Sequence, residues 1–195
     1  MAYADAPLVS TDLLTRKASA WVFRTWMDTP PDALLDEWTD EEIRTDTYFV
    51  SPLSRWLLKL TGGETLELKV NLETRDGLER WTTEVNETFP LSPRIVHEAT
   101  SLHLSDYACQ QPERLKTFID LCSNFSMVDV HKHVRLTTIG STRLEWSTVN
   151  IAGEQFATLA FQADELEELK RILSLLGLQH EKNCDFGQFL RAMGY

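Results

Sequence analysis

The sequence predicts an α+β fold, mainly an antiparallel β-barrel or tunnel of about eight strands with flanking helices. Three observations predict it. Short β-prone segments recur along most of the chain, separated by Gly- and Pro-marked turns. Helical patterns are few and sit between or after the strand runs. Within 44–69, RTDTYFVSPLSRWLLKLTGGETLELK, charged residues recur at alternate positions on either side of Gly62-Gly63. Alternate side chains of a strand point to opposite sides. Glu67 and Lys69 therefore face away from Leu66, Leu68 and Val70, and parity lets Lys59 join them. A curved sheet with long charged side chains on its inner face makes a polar tunnel suited to a polyanion.

The elements follow in order. Residues 1–17 read as a loose lead-in, and 18–195 as a single domain. The aromatic stretch 18–26, ASAWVFRTW, is the first strand. Thr29-Pro30-Pro31-Asp32 breaks it. Pro31 to about Trp38 reads as a short helix with Thr29 as its cap and Leu34, Leu35 and Trp38 at helical spacing. Strands are expected near 46–50, 55–60 and 64–72, then a turn at Arg75-Asp76-Gly77, then strands at 79–85 and 95–102. Residues 112–122 read as a helix with Leu115, Phe118, Ile119 and Cys122 on one face. Three strands follow at 128–137, 142–151 and 154–162. The clearest helix is 164–176, capped by Asp164, with acids in its first turn and Gly177 after its end. Residues 186–193 form a last short helix. Eight or nine strands suffice to close a barrel.

Composition sets limits. At 195 residues, 43% hydrophobic and 25% charged, the chain suits one globular domain. A net charge of −11 argues against nonspecific nucleic-acid or acidic-membrane binding. No apolar run approaches membrane-spanning length, and the N-terminal stretch has no basic start followed by an apolar core. Cys109, Cys122 and Cys184 fit neither zinc spacing nor a disulfide framework, which points to reduced thiols and a cytoplasmic protein. There is no glycine-rich phosphate loop, dinucleotide fingerprint, G-x-S-x-G or metalloprotease helix motif. Phosphate binding would have to use side chains.

The order of motifs resembles the CYTH superfamily, the triphosphate tunnel metalloenzymes. Arg44-Thr45-Asp46-Thr47-Tyr48, Leu57-Leu58-Lys59-Leu60 and Leu66-Glu67-Leu68-Lys69 are similar to its R-T-D-T-Y, K-bearing and L-E-L-K strands. Residues 77–81 look like G-x-E-x-W, Val130-His131-Lys132 like V-x-K, Leu144-Glu145-Trp146 like a glutamate-bearing strand, and 158–162 like T-L-A-F-E. The C-terminal Leu176-Gly177-Leu178 and 186–190 resemble its closing segment. The resemblance implies phosphate binding by Lys59, Lys69, Lys132 and Arg143. It implies Glu67 and Glu145 as catalytic, metal-holding carboxylates for Mg2+ or Mn2+, with Glu79 a further candidate. The metal would polarise a phosphoryl oxygen and prepare a water nucleophile.

The chain departs from the pattern at three places. The first strand, where E-x-E-x-K is expected, holds Arg24 and no carboxylate. Gln162 stands at the glutamate of T-L-A-F-E. Val134 stands where a basic residue is expected, with Arg135 one place out of phase. The implied function is binding of a phosphorylated or polyanionic small molecule, with metal-dependent triphosphate hydrolysis reduced or lost.

Other readings compete. Glu67 and Lys69 could be exposed cross-strand charges. A degenerate tunnel could serve as an interaction scaffold. The acidic stretch 28–46, with eight acids against Arg44, reads as a solvated face or as a docking surface for a basic protein. A barrel for an apolar ligand would be lined by Trp21, Phe23, Leu66 and Leu68. His131 and His133 share a face, but spacing suggests no third metal ligand.

Overall fold

The computed structural model describes residues 19–50, 56–92 and 125–195. Eight strands run β1 (Ser19–Trp26), β2 (Asp40–Val50), β3 (Trp56–Thr61), β4 (Thr65–Arg75), β5 (Leu78–Thr88), β6 (Ser126–Ile139), β7 (Thr142–Ile151) and β8 (Glu154–Ala163). Two helices follow, α1 (Leu166–Leu175) and α2 (Phe186–Ala192). The strands close into a barrel in the order β1-β5-β4-β3-β2-β6-β7-β8, with every pairing antiparallel. The predicted strand 95–102, the helix 112–122 and the lead-in lie outside the described residues.

Strand alternation sorts the side chains into three apolar groups. On the outer wall, Trp21 and Phe23 of β1, Leu144 and Trp146 of β7 and Leu159 and Phe161 of β8 pack against Leu166, Leu169 and Ile172 of α1. Four α1 side chains are buried, at positions 166, 169, 172 and 173, which is one helical face. Elsewhere on the outer wall, Phe49, Leu58, Leu60, Leu66, Leu68 and Val85 form a second group. The third group has the opposite parity. Tyr48, Val50, Val128, Val130, Val149 and Ile151 meet Phe186 and Leu190 of α2. Helix α2 therefore packs into one end of the barrel interior, and the inward charged residues lie beyond it.

Several boundaries differ from the sequence reading. The predicted helix 31–38 is a single 3-10 turn, Asp32–Leu34. Its N-cap is Pro31 in an extended conformation, not Thr29. The Pro30-Pro31 pair holds the chain extended, and of the predicted apolar face Leu34 is buried while Leu35 is exposed. β2 begins at Asp40, six residues early, because the acidic residues 40–42 pair with β6 despite poor β propensity. Cross-strand partners compensate: His133 bonds Glu41, and Arg135 lies opposite Glu41. Helix α1 is preceded by Glu165, without a side-chain cap bond, rather than capped by Asp164. Gly177 ends it in the left-handed region at φ +72°, as expected. Among the described residues, no helix is long and apolar enough to cross a membrane.

Candidate functional site: a charged tunnel

The inward positions of each strand can be read from the register. On β2 they are Glu42, Arg44, Asp46 and Tyr48. Lys59 on β3 stands opposite Tyr48 on one side and Glu67 of β4 on the other. Lys132 on β6 stands opposite Arg44. Glu145 and Arg143 on β7 share parity. With Arg24 of β1, these residues, apart from the fully buried Asp46, line a cavity of about 600 Å3. Lys59, Lys69, Lys132, Arg143, Glu67 and Glu145 all line it. Trp21, Phe23, Leu66 and Leu68 instead belong to the outer-wall groups, so an apolar-ligand barrel built on them is not the arrangement found.

Asp46 is the hub of the tunnel floor. It is fully buried, and its Oδ2 lies 2.8 Å from Lys132 Nζ and 3.2 Å from Lys59 Nζ. Its Oδ1 lies 3.2 Å from Arg44 Nε. Burial alone would raise its pKa. Lys132 and Lys59 outweigh burial and hold it below the ordinary carboxylate value. Lys132 donates to the Tyr48 hydroxyl at 2.7 Å and lies over the Phe186 ring at 4.0 Å. Burial, then the Lys59 charge, push its pKa down to about 7, against the opposing pull of Asp46 and Glu145. Burial and Asp46 push the Tyr48 hydroxyl well above its usual value, so it stays protonated at neutral pH.

Glu67 and Glu145 are each engaged by cations. Glu67 meets Lys59 at 2.7 Å and Lys69 at 2.9 Å. Burial opposes its ionisation, but the two lysines hold its pKa at about 2. Glu145 accepts from Arg24 at 3.0 Å and from Ser147 at 3.1 Å. Arg24, then Lys132, overcome burial and keep it well below the carboxylate range. Glu79 differs. It accepts from Trp81 Nε1 and Gln188 Nε2, both at 3.1 Å, and burial with nearby Asp185 raises its pKa.

The departures noted in the sequence all fall on the inner wall. β1 turns Ala20, Val22 and Arg24 inward, the alternate positions of an E-x-E-x-K strand. Gln162 lines the cavity beside Val22. No bulge interrupts β6, so Val134 keeps the inner phase and Arg135 the outer one. The donor set does not fit a resident divalent cation. Among the described residues, no group of three His, Cys, Asp or Glu converges. Glu67 and Glu145 instead neutralise lysine and arginine. His131 and His133 lie on the outer wall, bonded to Thr45 and Glu41.

Solved structures share this architecture. A Hippeastrum protein named for adenylyl cyclase, with a dominant triphosphatase activity, superposes with TM-score 0.52 at 13% identity, over 90% of this chain and 97% of that one. A Bacillus halodurans protein named for adenylate cyclase gives 0.51 at 12%, over 92% and 97%. The fold is a CYTH-like tunnel. A Pyrococcus horikoshii protein agrees, at TM-score 0.51 and 17% identity over 83% of this chain and 92% of that one. No family model and no curated protein matches the sequence. At these identities the likeness is one of fold.

Four residues of the CYTH-like tunnel escaped the sequence reading as site members: Arg24, Arg44, Asp46 and Tyr48. Parity carried the signal for the last three, which sit at alternate positions of one strand. For Arg24 it lay in the split of β1 into an aromatic face (Trp21, Phe23) and a face of Ala20, Val22 and Arg24. Of the acidic stretch 28–46, Asp46 is buried and Glu42 lines the tunnel, while Asp28, Asp32, Asp36, Glu37, Asp40 and Glu41 are exposed.

Proposed function

We propose that the tunnel binds a phosphorylated or polyanionic small molecule, with little or no triphosphate hydrolysis. One observation carries the reading. Six cationic side chains from six strands, Arg24, Arg44, Lys59, Lys69, Lys132 and Arg143, converge on one cavity. Its volume is in the usual range for small-molecule sites. Lys69 and Arg143 are the contact groups. Lys69 is 35% exposed on its side chain and keeps ammonium donors beyond the one aimed at Glu67. Arg143 is exposed at the rim, and no ion pair engages it among the described residues. Lys132 and Arg24 act from below by setting the floor.

Hydrolysis of the kind dominant in the Hippeastrum protein is the competing reading. With Ala20, Val22 and Gln162 on the inner wall, the chain offers few oxygen donors for Mg2+ or Mn2+. The test is calorimetric titration of inorganic triphosphate, paired with phosphate release in magnesium or manganese. Binding with little release is expected. Vigorous metal-dependent turnover would replace this reading with the enzymatic one. No heat at millimolar triphosphate would favour an interaction scaffold.

A further inference from the structure

A second cavity lies outside the barrel. It holds about 350 Å3, within the usual range of small-molecule sites. Helix α1, the Asp76-Gly77 turn between β4 and β5, and the loop from Leu178 to Asn183 enclose it. Phe23 of β1 lines it from the outer face of the strand, whereas Val22 and Arg24 line the tunnel. The two cavities therefore lie on opposite faces of β1, and among the described residues only Asn183 borders both.

The floor of this outer cavity is apolar. Phe23, Leu78, Leu173 and Leu178 form it, and all four are buried. The rim is charged but balanced, with Lys170 and Lys182 against Asp76 and Glu181. Lys170 is committed to Asp76 at 2.7 Å and to Glu167 at 3.1 Å. Lys182 and Glu181 are exposed, and among the described residues no salt bridge engages either. One cation and one anion thus remain uncommitted above an apolar floor.

The walls are pinned before any ligand arrives. Asn183 Nδ2 donates to the Gly77 carbonyl at 3.1 Å, and its Oδ1 accepts from the Arg24 amide at 2.8 Å. The Lys170–Asp76 pair ties α1 to the same turn. Within the loop, the Glu181 amide donates to the Leu178 carbonyl at 3.1 Å. A preformed pocket limits the ordering cost of binding. Its charges select among apolar ligands. A simple carboxylate meets Glu181 as a like charge, and a simple amine meets Lys182 in the same way. A zwitterion gives both a partner.

We infer that the outer cavity binds a free amino acid with an apolar side chain, the side chain on the floor, the carboxylate at Lys182 and the ammonium at Glu181. This site is separate from the tunnel and does not depend on what the tunnel binds.

The test is an amide NMR titration of the full chain with L-leucine, glycine, isocaproate and isoamylamine. L-Leucine should shift the amides of Gly77, Gln179 and Asn183 saturably, with a Kd on the order of 1 mM. Glycine, which lacks the apolar side chain, should bind at least about tenfold more weakly. Isocaproate lacks the ammonium and isoamylamine the carboxylate, and each should lose about fivefold, the scale of one exposed ion pair. Lys182→Ala should lower leucine to the affinity of isoamylamine, and Glu181→Ala to that of isocaproate. Both side chains are exposed, so the urea midpoint should stay where it is. Excess inorganic triphosphate should not displace leucine. The inference is overturned by the absence of a saturable shift with L-leucine. Equal affinity for leucine and either singly charged probe also overturns it, as does full leucine affinity in either variant. Displacement by triphosphate overturns it too, since the amino acid would then sit in the tunnel.

Discussion

Glu67 lies directly across the β3–β4 ladder from Lys59, and its Oε2 is 2.7 Å from the Lys59 ammonium. Its other oxygen meets Lys69 at 2.9 Å. One carboxylate thus bridges two lysines of adjacent strands inside the tunnel. A phosphate drawn to Lys69 meets this carboxylate as a like-charged neighbour.

Glu67→Gln should therefore tighten triphosphate binding in EDTA, by about tenfold, which corresponds to about 1.4 kcal/mol. A metal-ligand role predicts the opposite sign when magnesium is present. Calorimetry of wild type and variant, with and without magnesium, separates the two. Weaker binding by the variant in EDTA would refute the counter-ion role.

Lys69→Ala should weaken triphosphate binding at least tenfold. A charge-assisted hydrogen bond is worth about 1.5–3 kcal/mol. Stability should change little, because the Lys69 side chain is partly exposed and Glu67 keeps Lys59. A large fall in the urea midpoint would show that affinity was lost through unfolding instead.

Glu67 also sets an acid limit. Its pKa falls from 4.5 to about 2 on folding, so it stabilises the fold fully above pH 4.5. That contribution, at most about 3 kcal/mol, disappears as pH drops towards 2. Urea unfolding at pH 7, 4 and 3 should show the wild type converging on Glu67→Gln in acid. Parallel pH curves for the two proteins would be evidence against the bridge.

The aromatic plug should be a main source of stability. Phe186 is 3% exposed and stacks on Tyr48 at 5.0 Å and edge-on to Trp26 at 5.1 Å. Phe186→Ala should cost about 3–5 kcal/mol. It also removes the ring under Lys132 and Arg24, so triphosphate affinity should fall with it. A loss below 1 kcal/mol in denaturant unfolding would mean that α2 is not closing the barrel.

Strand content and wall parity were legible in the residues themselves. The alternation in 64–72 puts Glu67 and Lys69 on one face whatever they pack against, because a strand's side-chain period is two. The aromatic face of β1 and the apolar face of α1 were legible for the same kind of reason. What the inward charges do to one another was not. Asp46 gathers Lys59 and Lys132 only because β2 lies between β3 and β6 in the closed order, a long-range pairing that no local pattern encodes. The start of β2 at Asp40 was hidden similarly, since its acidic residues become a strand through partners on β6. Closure also drew α2 into the barrel end. Local propensity determined the elements and their faces. The ring of strands decided which charges neutralise each other, and hence which remain available to a ligand.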